Sequence, residues 1–271
     1  MERTALITGC SAGIGRAAAT TFLEAGWNVY ATARDEESIE DLEREGATIS
    51  ELDVTKPKQC TSVVEDAVSE HGGIDCLVNA AGYAQFGTVE DVPPSALHRQ
   101  YDVNVYGPHR LIRAVLPHMR AEEDGTIVNV ASGLGPLSIP GSGPVASSNA
   151  ALTSLSDALR GEVGGLGIDV VVVRHGPVAR QAAEQREYET HRFDRTDVYD
   201  ELYDAYDDAR KLRWMGEVEP ETVADVILEA GTTATPDPRY TVGTVAKYAP
   251  LAIFVPERFR DTVVRMIRWL E

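Results

Sequence analysis

Lysine is scarce: only four of the 25 cationic side chains are lysine (Lys56, Lys58, Lys211 and Lys247), against 43 carboxylates, and the formal charge is −18. A chain this acidic offers no basic face to phosphates, so nucleic acid is excluded as a partner. An acidic, lysine-poor surface stays soluble where salt screens its self-repulsion, which predicts adaptation to high salt; an acidic protein of ordinary surroundings is the alternative. Cysteine is also rare. Cys10, Cys60 and Cys76 make an odd set without metal-ligand spacing, so neither a disulfide framework nor a metal site is expected, and the usage fits a reducing cytoplasm. No apolar run approaches the roughly 18 residues that span a bilayer, and Arg3 leads straight into a strand-like segment rather than a leader.

What is present is a regular alternation. Apolar runs suited to buried strands (TALIT, NVYAT, ATISEL, CLVNA, TIVNVA and DVVVVR) are separated by amphipathic stretches such as Arg16 to Ala25 and Thr61 to His71. Strands alternating with helices predict βαβ units and a parallel sheet with right-handed crossovers. At 271 residues, one such domain spanning 1–271 is expected. The acid-rich segment 181–216 interrupts the alternation and carries Tyr188, Tyr199, Tyr203 and Tyr206. Tyr199, Leu202, Tyr203 and Tyr206 have helical spacing and predict one apolar face. Placed after the sixth strand, this segment reads as a substrate lid over the strands' carboxyl ends, or as a solvated insertion. The extension 250–271 reads as helical, with Phe259, Val263, Met266, Ile267 and Leu270 on one face and Arg258, Arg260, Arg265 and Arg268 nearby. It is expected to pack on the domain or on a second subunit rather than on a membrane surface.

The first strand runs into Gly9, Ser11, Gly13, Ile14 and Gly15, and a helix begins at once. Glycines at this spacing permit a tight turn and close backbone approach, and the helix start offers N–H donors and a positive dipole to a pyrophosphate. The second strand ends at Ala33-Arg34 instead of an acid. A cation there accommodates a ribose 2′-phosphate, so NADP is expected over NAD.

With Asn79-Ala-Ala-Gly82, Asn104-Val-Tyr-Gly107, the Ser132 segment and Arg239-Tyr-Thr-Val-Gly243 in order, the chain resembles the short-chain dehydrogenase/reductase family over nearly its whole length. The resemblance implies an α/β, Rossmann-like, doubly wound sheet of seven mostly parallel strands flanked by helices. It also implies a nicotinamide cofactor, a small carbonyl or alcohol as substrate, and a homodimer or homotetramer. Position by position, it places Asp53 and Val54 beside the adenine, Asn79 beside the adenosine ribose, Gly82 among the cofactor-binding residues, and Gly176 to Val178 along the nicotinamide. Ser132 corresponds to the substrate-orienting serine and Asn104 to the asparagine that supports a proton-relay water.

The resemblance breaks at the family's catalytic tyrosine and lysine, whose positions fall on Val145 and Asn149. Gly135, Pro140, Ala151 and Leu152 hold the register on either side. A tyrosine serves as acid near neutrality only when a neighbouring cation favours its phenolate, and a lysine one turn later supplies that charge. Valine has no proton to give. Asparagine has no charge, although its amide can hydrogen-bond a ribose hydroxyl. None of the four lysines follows a tyrosine by four residues, and Ser147 and Ser148 are too short to replace one. Further departures are Ala80, His175 before Gly176, and Arg180. The expectation is therefore a cofactor-binding pseudoenzyme with lost or impaired hydride transfer. The alternative is an active reductase or alcohol dehydrogenase using His175, a lid tyrosine or water as its proton source.

Overall fold

The structure is a computed structural model that describes residues 3–133, 138–178, 193–207, 217–248, 256 and 258. In chain order it forms β1 (Thr4–Thr8), α1 (Gly13–Glu24), β2 (Asn28–Ala33), α2 (Glu40–Arg44), β3 (Thr48–Glu51), α3 (Pro57–His71), β4 (Cys76–Asn79) and α4 (Pro94–Tyr101). There follow α5 (Gly107–Glu122), β5 (Gly125–Ser132), α6 (Gly143–Val163), β6 (Ile168–His175), α7 (Asp200–Asp207), α8 (Pro220–Thr232), β7 (Arg239–Val242) and α9 (Thr244–Tyr248). The strands form one seven-stranded sheet in the order β3-β2-β1-β4-β5-β6-β7, and every pairing is parallel. This is the expected doubly wound architecture, with the sheet wholly rather than mostly parallel.

Strand alternation divides the core into two layers. Ala5, Ile7, Val29, Ala31, Val78, Val128, Val171 and Val173 pack against Ala18 and Phe22 of α1 and Val223 and Ile227 of α8. On the opposite face, Leu6, Tyr30, Leu77, Ile127 and Val170 meet Val63, Val64 and Ala67 of α3 with Leu111 and Val115 of α5. Phe22 and Trp27 close the first layer edge to face, with ring centroids 5.0 Å apart. Because both faces are covered, the strands read as continuous apolar runs. Helix boundaries follow local chemistry: α3 opens with Pro57 in its first turn and stops at Gly72, whose φ of 84° only glycine adopts easily.

Parallel strands end at a common edge, so Thr8, Asn79, Ser132 and His175 are brought together from distant parts of the chain. The strand order reverses between β1 and β4, which opens a crevice at their carboxyl ends. Between α4 and α5 the helix widens into a π-helical turn at Asp102–Tyr106 that carries Asn104. Among the described residues, no helix is long and apolar enough to cross a membrane. The C-terminal helix expected over 257–270 lies outside the described residues apart from Arg258.

Candidate cofactor and active site

The glycine turn owes its shape to contacts that a side chain would prevent. Gly9 has φ of 76°, and a Cβ there would lie 2.7 Å from the Ala81 Cα. A Cβ at Gly15 would lie 2.4 Å from the Gly9 carbonyl oxygen. Gly13 takes φ of 58° as the chain enters α1, Ile14 is buried and Ser11 is exposed. No side chain caps α1 and no acid occupies its first turn, so its N–H donors and positive end are available to an anion. Thr8 fixes this loop to its neighbour: its Oγ1 accepts the N–H groups of Ala80 at 3.1 Å and Ala81 at 3.0 Å. That role lies outside the sequence expectations, because a threonine ending a strand has no signature of its own.

Around the crevice, Arg34 is exposed just beyond the buried Ala33, and among the described residues no hydrogen bond or ion pair engages it. Burial works against the charged form of Asp53, but the Thr55 N–H and hydroxyl, with Lys56 and Arg34 nearby, outweigh it and hold the carboxyl below its ordinary range. Val54 is buried, and its carbonyl accepts from Arg110 at 3.0 Å. Gly82 is exposed at the crevice. Asn79 is 3% exposed and faces the sheet: its Nδ2 donates to Asn129 Oδ1 at 2.8 Å, and Asn129 donates to Ser156 Oγ at 2.9 Å. Its Oδ1 is buried without a partner among the described residues.

The reacting end is built by β5, β6 and α6. Ser132 and His175 are register partners at the ends of adjacent strands. The Ser132 N–H donates to Asn149 Oδ1 at 2.6 Å, and Asn149 Nδ2 donates to the Val145 carbonyl at 2.8 Å. Asn149 therefore braces the first turns of α6 against the end of β5, and it is only 8% exposed. Beneath Val145, Ser148 is fully buried, accepts from Gln100 Nε2 at 2.8 Å and donates to the Val145 carbonyl at 3.0 Å. Gln100 Oε1 in turn accepts the Gln85 N–H at 2.8 Å. No spacing rule announces this chain of amides in the sequence.

Asn104 Oδ1 accepts the Tyr83 N–H and its Nδ2 donates to the Tyr83 carbonyl, both at 2.9 Å. The π-helical turn thus anchors the segment after β4. His175 Nδ1 lies 2.7 Å from the Gly176 carbonyl oxygen. A carbonyl only accepts, so Nδ1 carries the proton and Nε2 presents a lone pair. Burial lowers the imidazole below its ordinary value, so it is neutral at pH 7. Gly176 donates to the Val242 carbonyl at 2.8 Å, and Val178 bridges Val218 in parallel. Gly135 and Arg180 lie outside the described residues. Among the described residues, no group of three or more His, Cys, Asp or Glu side chains could hold a metal ion.

The part of the expected lid at 193–207 is docked on the segment after β4. Asp91 accepts from Thr196 Oγ1 at 2.5 Å, the Thr196 N–H at 3.3 Å and the Tyr203 hydroxyl at 2.7 Å. The Tyr203 hydroxyl also accepts the Thr88 N–H at 3.2 Å, and Tyr199 donates to Glu90 at 2.7 Å. A Cβ on Gly87 would lie 2.5 Å from Phe193 Cζ. The expected apolar tyrosine face is thus held partly by its hydroxyls, and Tyr199 sits in a 3-10 turn before α7 rather than within it. Tyr188 and the side chain of Tyr206 lie outside the described residues.

This arrangement is shared with known proteins. A profile described as short chain dehydrogenase matches residues 3–191. A short-chain dehydrogenase from Streptomyces avermitilis superposes with a TM-score of 0.82 at 29% identity, covering 100% of this chain and 99% of that one. A metagenomic short-chain oxidoreductase in complex with NADP superposes with a TM-score of 0.70 at 25% identity over 89% of this chain and 97% of that one. The NADPH-dependent 3-dehydrocapnine reductase of Ornithobacterium rhinotracheale is 28% identical over 96% of this chain and 95% of its own length. With the match extending from β1 past the end of β6, and the same sheet seen throughout, the chain belongs to the short-chain dehydrogenase family of oxidoreductases.

Proposed function

We propose that the chain binds NADP(H) and has lost, or retains only weakly, the hydride transfer of its family, because Val145 and Asn149 stand at the family's tyrosine and lysine positions. The observation that carries this reading is the Asn149 amide, committed to the Ser132 N–H and the Val145 carbonyl. The site holds a brace where the reaction needs a proton and a cation. Removing a general acid costs about 10²–10⁴ in rate. Ser132 would still orient a small carbonyl or alcohol, so slow turnover by proximity is allowed.

The residues present fit the cofactor. The two glycine contacts leave a cradle that a Cβ would fill, the start of α1 offers uncapped donors, and exposed Arg34 suits a 2′-phosphate. The NADP complex and the NADPH-dependent enzyme among its relatives support NADP over NAD. When bound, the nicotinamide supplies or accepts the hydride. The protein would work as a homo-oligomer in a salt-rich cytoplasm, the acidic surface supplying the solubility.

A second reading, alcohol oxidation with His175 as base, is favoured by one observation: the neutral imidazole has a lone pair at Nε2 but no proton there to give. The Nε2 lone pair can accept a proton from an alcohol, weakened by the burial that disfavours an imidazolium, whereas the same tautomer has no proton at Nε2 for an alkoxide. Calorimetry with NADPH and NADH comes first: no binding of either overturns both readings. A carbonyl and alcohol panel at high salt then follows, with wild type beside V145Y/N149K. Carbonyl reduction enhanced at least tenfold in the double variant supports the first reading. Wild-type alcohol oxidation that the double variant does not enhance and H175A abolishes supports the second.

A further inference from the structure

Away from the cofactor crevice, two guanidinium groups pair with one carboxylate and a third lies within electrostatic reach of both it and Arg239. Asp157 and Arg160 lie one turn apart on α6, Arg174 is the penultimate residue of β6, and Arg239 opens β7. Asp157 Oδ1 accepts from Arg160 Nη2 at 2.5 Å, and Asp157 Oδ2 accepts from Arg239 Nη2. Both oxygens of Asp157 are thus engaged, and donors remain. Arg160 Nη1 is buried with no hydrogen-bond partner. Arg174 is half-buried, and among the described residues no hydrogen bond or ion pair engages its side chain. Burial, then the charge of Arg239, push its guanidinium below the ordinary value, and Asp157 offsets this only in part.

This local excess of positive charge occurs in a chain whose formal charge is −18. Arg239 is exposed and Arg160 and Asp157 are only part-buried, so solvent screens some of the repulsion among the like charges. The buried Arg160 N–H without an acceptor still carries a cost. Strand alternation keeps the cluster separate from the reacting end. Arg174 shares the face of Val170, in the layer with α3 and α5, whereas His175 shares the face of Val171 and Val173.

We propose that Arg160, Arg174 and Arg239 form a binding site for a small oxyanion of the phosphate or sulfate class. Planar guanidinium forks match the oxygens of such an anion, and its charge would relieve the repulsion that one aspartate leaves. The proposal is independent of whether the crevice binds a nucleotide.

The test is titration of the nucleotide-free full chain with potassium phosphate, and separately with sulfate, replacing chloride at constant ionic strength. Melting temperature and calorimetric heat are followed for wild type, R174M and R174K. Such anions stabilise proteins generally without saturating, so the readout is wild type against variant. Wild type should show a saturable rise, R174M at least a tenfold loss of affinity, and R174K an intermediate loss because charge remains without the fork. Without oxyanion, R174M should melt no lower than wild type, since one uncompensated charge is gone. If R174M fails to fold, R174K decides alone by its loss of affinity. Equal and unsaturable rises in wild type and variants would overturn the proposal. So would a wild-type oligomer that R174M or R174K splits regardless of anion, because the cluster would then seat a carboxylate of a second copy.

Discussion

Replacing Asp91 by alanine should release the segment 193–207 without unfolding the domain. Asp91 is the acceptor on which Thr196 and Tyr203 converge, and the Tyr203 hydroxyl reaches on to Thr88. Hydrogen bonds to a charged acceptor contribute about 1.5–3 kcal/mol each, but these share one carboxylate near solvent and do not add. A loss of about 2–3 kcal/mol in local closing is therefore expected, which is about a 30- to 160-fold increase in hydrogen exchange of the α7 amides. Exchange in the central strands should stay unchanged. Partial burial works against the Asp91 charge, but the Thr196, Tyr203 and Thr88 hydroxyls outweigh it and hold the carboxyl down at about 2, against 3.8 ordinarily. A lowered carboxyl contributes its stabilisation above the ordinary value and loses it as pH falls through the folded one. Between pH 4 and 2, pepsin should cut wild type increasingly within 193–207, relative to an unstructured peptide. D91A should already be cut at pH 4, and D91N should fall between. If α7 exchange in D91A stays within twofold of wild type, the Asp91 hydrogen bonds are not what holds this segment.

Other perturbations test the crevice. N149A strands the Ser132 N–H in a half-buried position and should cost about 1–3 kcal/mol; an unchanged urea midpoint would contradict the bracing role. G9A forces a side chain into φ of 76° and against Ala81. It should destabilise the fold by about 1–3 kcal/mol from backbone strain alone and weaken NADPH binding in calorimetry, and wild-type affinity would refute the cradle. Burial pushes the Cys10 and Cys76 thiols up to about 12 and Cys60 to about 11. A thiol reagent at pH 8 should therefore modify none of them in the folded protein and all three after denaturation; rapid labelling of the folded state would show the core to be open.

The sequence by itself determined the alternation of buried strands and amphipathic helices, because apolar periodicity and turn glycines are local properties. It also placed Gly9, Gly13 and Gly15 at a turn, since only glycine tolerates that backbone and that approach. The proposal that Val145 and Asn149 stand at the family's tyrosine and lysine positions also rests on the sequence, where the landmarks around them keep their spacing. What Asn149 does instead could be decided only by the tertiary structure, which brings the end of β5 within hydrogen-bonding distance of α6. The same holds for Thr8, Gln100 and Asp91, ordinary polar residues whose roles arise from partners far away in the chain. The Asn79 amide nitrogen likewise finds Asn129, which finds Ser156, buried polar neighbours that no linear motif records. Linear pattern encodes backbone propensity and burial. The partners of a buried donor or acceptor are set by packing, and packing exists only once the seven strands are side by side.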